Sequence, residues 1–139
     1  MGNVDSGNTM TMKFKVTSIK AITCDAPYAT APKGQAIAIN LEIETTPEFE
    51  GPLEVNGTPG MVSFMPYYWR GYASNGTRMN TVDTGIHRNC LSDTTSLLPD
   101  YIGKGEKLNG LVVLDVSTSK GTVAFSPDES VGWTWPYSV

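Results

Sequence analysis

The sequence predicts an all-β fold, an antiparallel sandwich of about seven to nine short strands with at most one short helical turn. Three observations predict it. Apolar residues recur with period two, Gly and Pro fall between the apolar runs, and no long stretch carries the 3.6-residue period of an amphipathic helix.

The first strand is read over residues 12–22. Met12, Phe14 and Val16 alternate with Lys13, Lys15 and Thr17. The phase then slips so that Ile19 faces in, which predicts a bulge. The clearest strand is 35–45, with Ile37, Ile39, Leu41 and Ile43 on one face and Ala36, Ala38, Asn40, Glu42 and Glu44 on the other. One core face and one solvent face are expected of an antiparallel sheet. Residues 61–73 hold two short strands broken at Pro66, because proline cannot donate to a central ladder. Asn75-Gly76 then predicts a type I′ hairpin that pairs 67–74 with 77–83. Residues 84–110 are polar and irregular, with one helical turn near 93–98. Strands follow at 111–118, interrupted by Asp115, and at 122–125. The chain closes on Val131 to Tyr137, alternating again. This is the strand spacing of an immunoglobulin-like sandwich. Residues 12–139 are expected to be one domain, and 1–11 a disordered or added N-terminal tail.

Composition narrows the function. The 139 residues suit one domain. Charged residues make up 17%, below the usual quarter or so, as in many extracellular β-proteins. A net charge of −4 with scattered basic residues argues against nucleic acid, which needs clustered Lys and Arg. The acidic run Glu42, Glu44, Glu48, Glu50 and Glu54 reads as a solvated face, since no calcium-loop pattern accompanies it. No apolar run approaches the roughly 18 residues of a membrane span. The polar start MGNVDSGNTMT is no leader. An exported form would carry its leader, and any lipid-anchor cysteine, upstream of Met1, so membrane attachment is expected only through such an anchor.

With a single histidine, His87, the two cysteines Cys24 and Cys90 do not suggest zinc. They are either reduced core residues or a disulfide. Their polar, turn-like neighbours favour the disulfide, since a buried free thiol prefers an apolar strand. Closing about 65 residues would stabilise by roughly 4 kcal/mol in the chain-entropy treatment.

Several segments together resemble a known family. They are FKVTSIKAI, then PKGQAIAINLEIET with Pro32-Lys33-Gly34-Gln35 at its head, the aromatic hairpin at Asn75-Gly76, GKGEKLNGLVVLDVSTSKGTVAFSP, and the terminal GWTWPY. Over residues 13–137 the chain is similar to the DUF4352 group of actinobacterial exported proteins and lipoproteins, an MPT63-like family. The resemblance implies an immunoglobulin-like sandwich, export and a cell-surface or extracellular setting. It brings no catalytic residues and no cofactor. Members carry cysteines in the first loop and before the late turn, and Cys24 and Cys90 match those places.

Catalytic readings are weak. His87 and Cys90 lie three apart but lack an orienting third group. Asp83 with Asp93, or Asp25 with Asp100, would need a glycosidase separation, whereas loop aspartates ordinarily cap turns. The sequon-like Asn56-Gly57-Thr58 and Asn75-Gly76-Thr77 read first as turns. The aromatic strands are the remaining place to look. Tyr67, Tyr68, Trp69 and Tyr72 crowd one, and Trp133, Trp135 and Tyr137 the other. Tyr68, Trp69, Arg70, Tyr72, Trp133 and Trp135 are the candidate partner-binding residues, because Trp, Tyr and Arg anchor interfaces. A sugar platform is a variant of the same idea. The expected function is a non-enzymatic exported or cell-surface module that binds a protein or cell-envelope component. A structural or phage-encoded envelope protein is the alternative, and an envelope hydrolase ranks below both.

Overall fold

The computed structural model describes residues 2–3, 12–127 and 132–139. Nine strands are present among them: β1 (Gly2–Asn3), β2 (Met12–Ala21), β3 (Gln35–Thr45), β4 (Gly51–Val55), β5 (Thr58–Gly60), β6 (Trp69–Ala73), β7 (Lys107–Val116), β8 (Lys120–Phe125) and β9 (Trp133–Ser138). They form an antiparallel immunoglobulin-like sandwich. One sheet has the order β1-β2-β3-β7 and the other β6-β8-β9, with β4-β5 a separate hairpin. The expected tail lies outside the described residues apart from Gly2 and Asn3, which pair with Phe14 and Lys13. Val131 is outside them too.

β2 and β3 form where the alternation is strictest. Lys13 and Lys15 stand opposite Glu44 and Glu42, so the exposed face carries opposite charges in register. The ladder shifts between Val16 and Ser18, the bulge that the phase slip predicts. The apolar face of this sheet meets the other around a cluster of rings. Phe14 touches Phe64, Phe125, Trp133 and Trp135 edge-on, and Phe64 stacks on Phe125 with centroids 4.3 Å apart. Ile37, Ile39, Leu41, Val112 and Leu114 complete the core, each fully buried.

The middle of the chain corrects three expectations. Pro66 starts a short 3-10 helix, Pro66–Tyr68, after which the second expected segment follows as β6, while the first makes only isolated bridges, Met61 with Leu53 and Val62 with Ile102. This helix is the second of its kind, beside Thr94–Ser96 in the segment where one was expected. The hairpin at Asn75-Gly76 is also different. The Gly76 N–H donates to the Ala73 carbonyl and the Ala73 N–H to the Thr77 carbonyl, and only Gly76 has positive φ, at 89°. This is a three-residue loop with glycine in the left-handed position, not a type I′ turn. Pairing beyond it is confined to Tyr72 opposite Arg78, and β6 takes β8 as its ladder partner. Positive φ at both central residues occurs at the other Asn-Gly, where Asn56 (50°) and Gly57 (83°) turn β4 into β5.

The third correction concerns the second face of β3. Ala36 and Ala38 are not on solvent but buried, because the irregular segment 82–98 lies against β7 and over that face. Ala36 packs with Val113, Ile86 and Cys90 in a small second core. β7 is the edge of its sheet, and an edge presents unpaired N–H and C=O groups. Here the Asp115 N–H donates to the Val82 carbonyl, the Val113 N–H to His87 Nδ1, and the Leu98 N–H to the Leu111 carbonyl, all at 3.0 Å. Two fastenings hold this cover. Cys24 is bonded to Cys90, and the Cys90 carbonyl accepts from the Asp25 and Ala26 N–H groups. Asp115, 4% exposed, accepts from the Lys33 and Gly34 N–H groups at 2.7 and 2.9 Å and from the Thr84 hydroxyl at 2.6 Å. A lone buried carboxylate would be costly, and these donors compensate it.

Two outcomes follow for stability. Reduction of Cys24–Cys90, which opens a 66-residue loop, should cost up to about 4 kcal/mol, and hydrogen exchange at Val113 and Asp115 should accelerate most. Intact and reduced masses, followed by urea titration and exchange, check this. Asp115→Ala, which strands three donors, should lower stability by about 3 kcal/mol. Asp115→Asn, which swaps one acceptor for a donor, should cost about half as much. Urea midpoints read both.

Candidate functional site

The structure separates the six candidate binding residues onto two faces. Trp69 is 3% exposed and its Nε1–H donates to the Phe64 carbonyl at 2.9 Å. It belongs to the core and offers a partner no surface, which corrects the sequence expectation for this residue. Trp133 and Trp135 are half-buried on the same inner side, against Phe14 and, for Trp135, Trp69. Arg70 and Tyr72 alternate to the outer side of β6, where their β8 neighbours are Ala124 and Thr122. Tyr68 is half-buried in the 3-10 helix, edge-on to the 70%-exposed Tyr67. Burial pushes the Tyr68 phenol above its ordinary value, and Tyr101 and Tyr67 add to the effect. It therefore stays protonated at neutral pH.

The aromatic strand instead forms one wall of a cleft. The cleft encloses about 260 Å³ between Pro66 to Gly71 on one side and Arg78 to Asp83 on the other. Its floor is apolar and fixed. Gly71 has no Cβ, and the space one would fill is taken by Met79 Sδ and Val82 Cγ1, 2.6 and 2.8 Å from that position. Its rim is polar, with Tyr67, Arg70, Arg78, Asn80, Thr81 and Asp83. Thr81 and Asp83 shape the turn they sit in: the Thr81 hydroxyl accepts from the Asp83 N–H, and the Asp83 carboxylate from the Gly85 N–H.

Arg78 and Asn80 escaped the sequence reading for a geometric reason. A type I′ turn would put Arg78 opposite Ala73, one residue out of register, and a one-residue slip reverses every side chain. The observed register sets Arg78 opposite Tyr72, on the outer face shared with Arg70. The apolar residues held the missing signal. Met79 must face inward with Gly71, and only the observed register allows it.

A second cleft, of about 390 Å³, lies beside the disulfide and is lined by 22–24, 29–32 and 34–36. No charged residue lines it.

The catalytic candidates find structural uses. Asp93 caps the 3-10 helix by accepting from the Thr95 N–H, Asp25 accepts from the Ser92 N–H, and Asp100 pairs with Arg88. Among the described residues no cysteine is free and no group of His, Cys, Asp and Glu could hold a metal ion. Glu42, Glu44, Glu48, Glu50 and Glu54 are all exposed. His87 is 5% exposed, and its Nδ1 accepts from Val113, so the neutral ring carries its proton on Nε2. Burial, with Arg88 adding to it, holds the imidazole below its ordinary value against the opposing pull of Asp100 and Asp83.

No family model matches this chain, and no curated protein does. Solved structures do. One is MPT63, a secreted protein from Mycobacterium tuberculosis, at 17% identity and a TM-score of 0.55, covering 90% of this chain and 82% of that one. Another is a candidate lipoprotein, ycdA, from Bacillus subtilis, at 12% identity and a TM-score of 0.53, covering 92% of this chain. This chain spans only 36% of that protein's length. At such identities the likeness is one of fold. No helix among the described residues is long and apolar enough to cross a membrane.

A pH dependence follows from His87. Unfolded histidine titrates near pH 6.5, above the folded value. Stability should be complete above that pH and fall as pH drops below it, because the unfolded chain then binds a proton that the folded chain refuses. The slope should not exceed about 1.4 kcal/mol per pH unit. Urea unfolding at a series of pH values measures it, and His87→Gln should flatten the profile below the ordinary histidine value of about 6.5.

Proposed function

We propose that this chain is an exported, non-enzymatic binding module of the DUF4352 type, and that its ligand meets the cleft between β6 and residues 78–83. One observation carries the reading. Tyr67, Arg70 and Arg78 rise around a floor whose shape is set by buried Trp69, Met79 and Val82. Exposed aromatic and Arg side chains over a rigid base are the usual makings of a recognition site, since little ordering entropy is lost on binding. The aspartates and His87 are engaged in turns and in the edge cover, which leaves the described residues no acid–base pair set up for chemistry. Export is supported by the secreted and candidate lipoprotein fold relatives and by the disulfide, which persists in oxidising compartments. The ligand is then a component of the cell envelope or its surroundings.

Pull-down from an envelope extract tests this. The Arg70→Ala/Arg78→Ala double variant should lose the captured component, while Arg88→Ala, on an exposed side chain away from the cleft, should retain it. Undiminished capture by the double variant would remove the cleft from consideration. Trp69 variants are unsuitable, because that ring holds the core together.

A further inference from the structure

We infer that this chain self-associates through a two-fold contact, in which the Tyr28 ring of each copy enters the cleft beside the other copy's disulfide. This surface is separate from the cleft proposed above for the ligand, and the inference does not rest on that reading.

The backbone at Tyr28 is the first argument. The Ala29 N–H donates to the Ala26 carbonyl at 3.2 Å, which closes a four-residue turn with Pro27 and Tyr28 at its centre. Proline fixes the first central φ at about −65°, and the second, at Tyr28, is 62°. That is a type II turn, whose third position ordinarily belongs to glycine. A tyrosine there is sterically strained, and such an outlier points to function. Nothing within the fold offsets the strain, since Tyr28 is 101% exposed. The base of the loop is held firmly. The Cys90 carbonyl accepts from the Asp25 and Ala26 N–H groups, and the Thr30 hydroxyl from Asn89 Nδ2 at 3.0 Å. The ring is therefore displayed on a fixed support, and little ordering entropy is lost when it binds.

The cleft beside the loop is the second argument. β2 and β3 pair as far as the Ile22 N–H and the Ala36 carbonyl. Beyond that rung the two segments splay, 24–26 drawn to Cys90 and 33–34 to Asp115. The opening between them is the cleft of about 390 Å³, with Ile22, Ala31, Pro32 and Ala36 among its apolar walls. Gln35 lines it too. Its Nε2 donates to the Ile22 and Ala36 carbonyls at 3.3 and 2.7 Å, and its Oε1 has no partner among the described residues. A tyrosine suits such a site, with its ring on the apolar walls and its phenol O–H donating to that oxygen. Charge and symmetry select a second copy as the source of the ring. Each copy carries −4, so association must avoid the charges. Residues 26–32 and the cleft lining contain no charged side chain. Ring and cleft belong to the same loop, so one two-fold axis beside it fills both clefts at once. Two rings of about 150–250 Å² each, with matching areas of cleft wall, stay below the roughly 1,200 Å² of a stable complex. The association is therefore weak and reversible.

Sedimentation equilibrium of the full chain, disulfide intact, at concentrations up to about 1 mM tests the inference. The chain should show a reversible monomer–dimer equilibrium with a Kd on the order of 0.1 mM. Tyr28→Gly should weaken it about tenfold or more. Glycine suits the turn, so this variant should keep the circular dichroism spectrum of the parent. Ala31→Trp, which leaves the ring in place and fills the cleft, should weaken it as much with the spectrum again unchanged. Tyr28→Phe, which keeps the ring and loses the phenol donor, should weaken it about fivefold. Added salt should leave the Kd unchanged or tighten it, because the copies carry like charge. A chain that is monomeric at about 1 mM, or a dimer that persists in Tyr28→Gly or Ala31→Trp or dissolves in salt, would overturn the inference. So would a monomer whose Tyr28 instead carries binding to a neutral cello-oligosaccharide or to phosphatidylcholine vesicles. The Arg70→Ala/Arg78→Ala variant should dimerise as the parent does, so self-association and envelope capture fail or stand independently.

Discussion

The edge of β7 is the constraint around which this sandwich is organised. A ten-residue strand on the edge of a sheet offers a row of backbone donors and acceptors to any passing strand. The chain meets this without adding a further strand. A carbonyl from Val82, a ring nitrogen from His87 and an N–H from Leu98 reach the three exposed positions in turn. An irregular segment can do this only if something else fixes its path. The disulfide fixes it near Cys90, and the Asp115 carboxylate fixes it at Thr84. The same carboxylate draws the loop before β3 to β7 through Lys33 and Gly34. Other edges are managed by composition. Past the two residues that β1 pairs, β2 carries Lys15, Lys20 and a bulge, and β9 contains Pro136, which cannot donate to an added strand.

β2, β3 and the bulge were legible because they depend on local alternation, whereas the β4–β5 hairpin had no expected strand and β7 begins at Lys107, inside the stretch read as irregular. β3 occupies the span that its pattern marks, and the slip at Val16 announces its own irregularity. The cover was not legible, because its partners are far apart in sequence. Nothing near Ala36 says that Ile86 and Cys90 will lie over it. Asp115 reads in the sequence as an interruption of an apolar strand. In the fold it is the acceptor that the neighbouring N–H groups require. His87 likewise looks like a stray catalytic residue until Val113 supplies its donor.

The binding residues were half legible. Composition pointed to the strand containing Tyr68, Trp69, Arg70 and Tyr72, and alternation separated Trp69 from Tyr72. The other wall required the hairpin register. Asn75-Gly76 is a strong turn signal, but it does not count the residues in the loop. The loop here includes Ser74, and that one residue decides whether Arg78 joins Arg70 or faces inward. The burial of Met79 settles the count, so packing overrides the turn's local preference.

Val82 joins the two halves of the structure. Its side chain occupies the space over Gly71 and so forms part of the cleft floor, while its carbonyl accepts the Asp115 N–H at the β7 edge. The hairpin holds residues 78–83 loosely, through the Tyr72–Arg78 bridge and the Met79 N–H to the Gly71 carbonyl. Much of what positions the cleft's outer wall therefore comes from the far end of the segment, where it enters the edge cover. A movement that pulls Val82 off β7 also withdraws a side chain from the cleft floor. The disulfide, the buried carboxylate and the neutral histidine thus sit outside the cleft, yet they restrain the residue on which its shape depends.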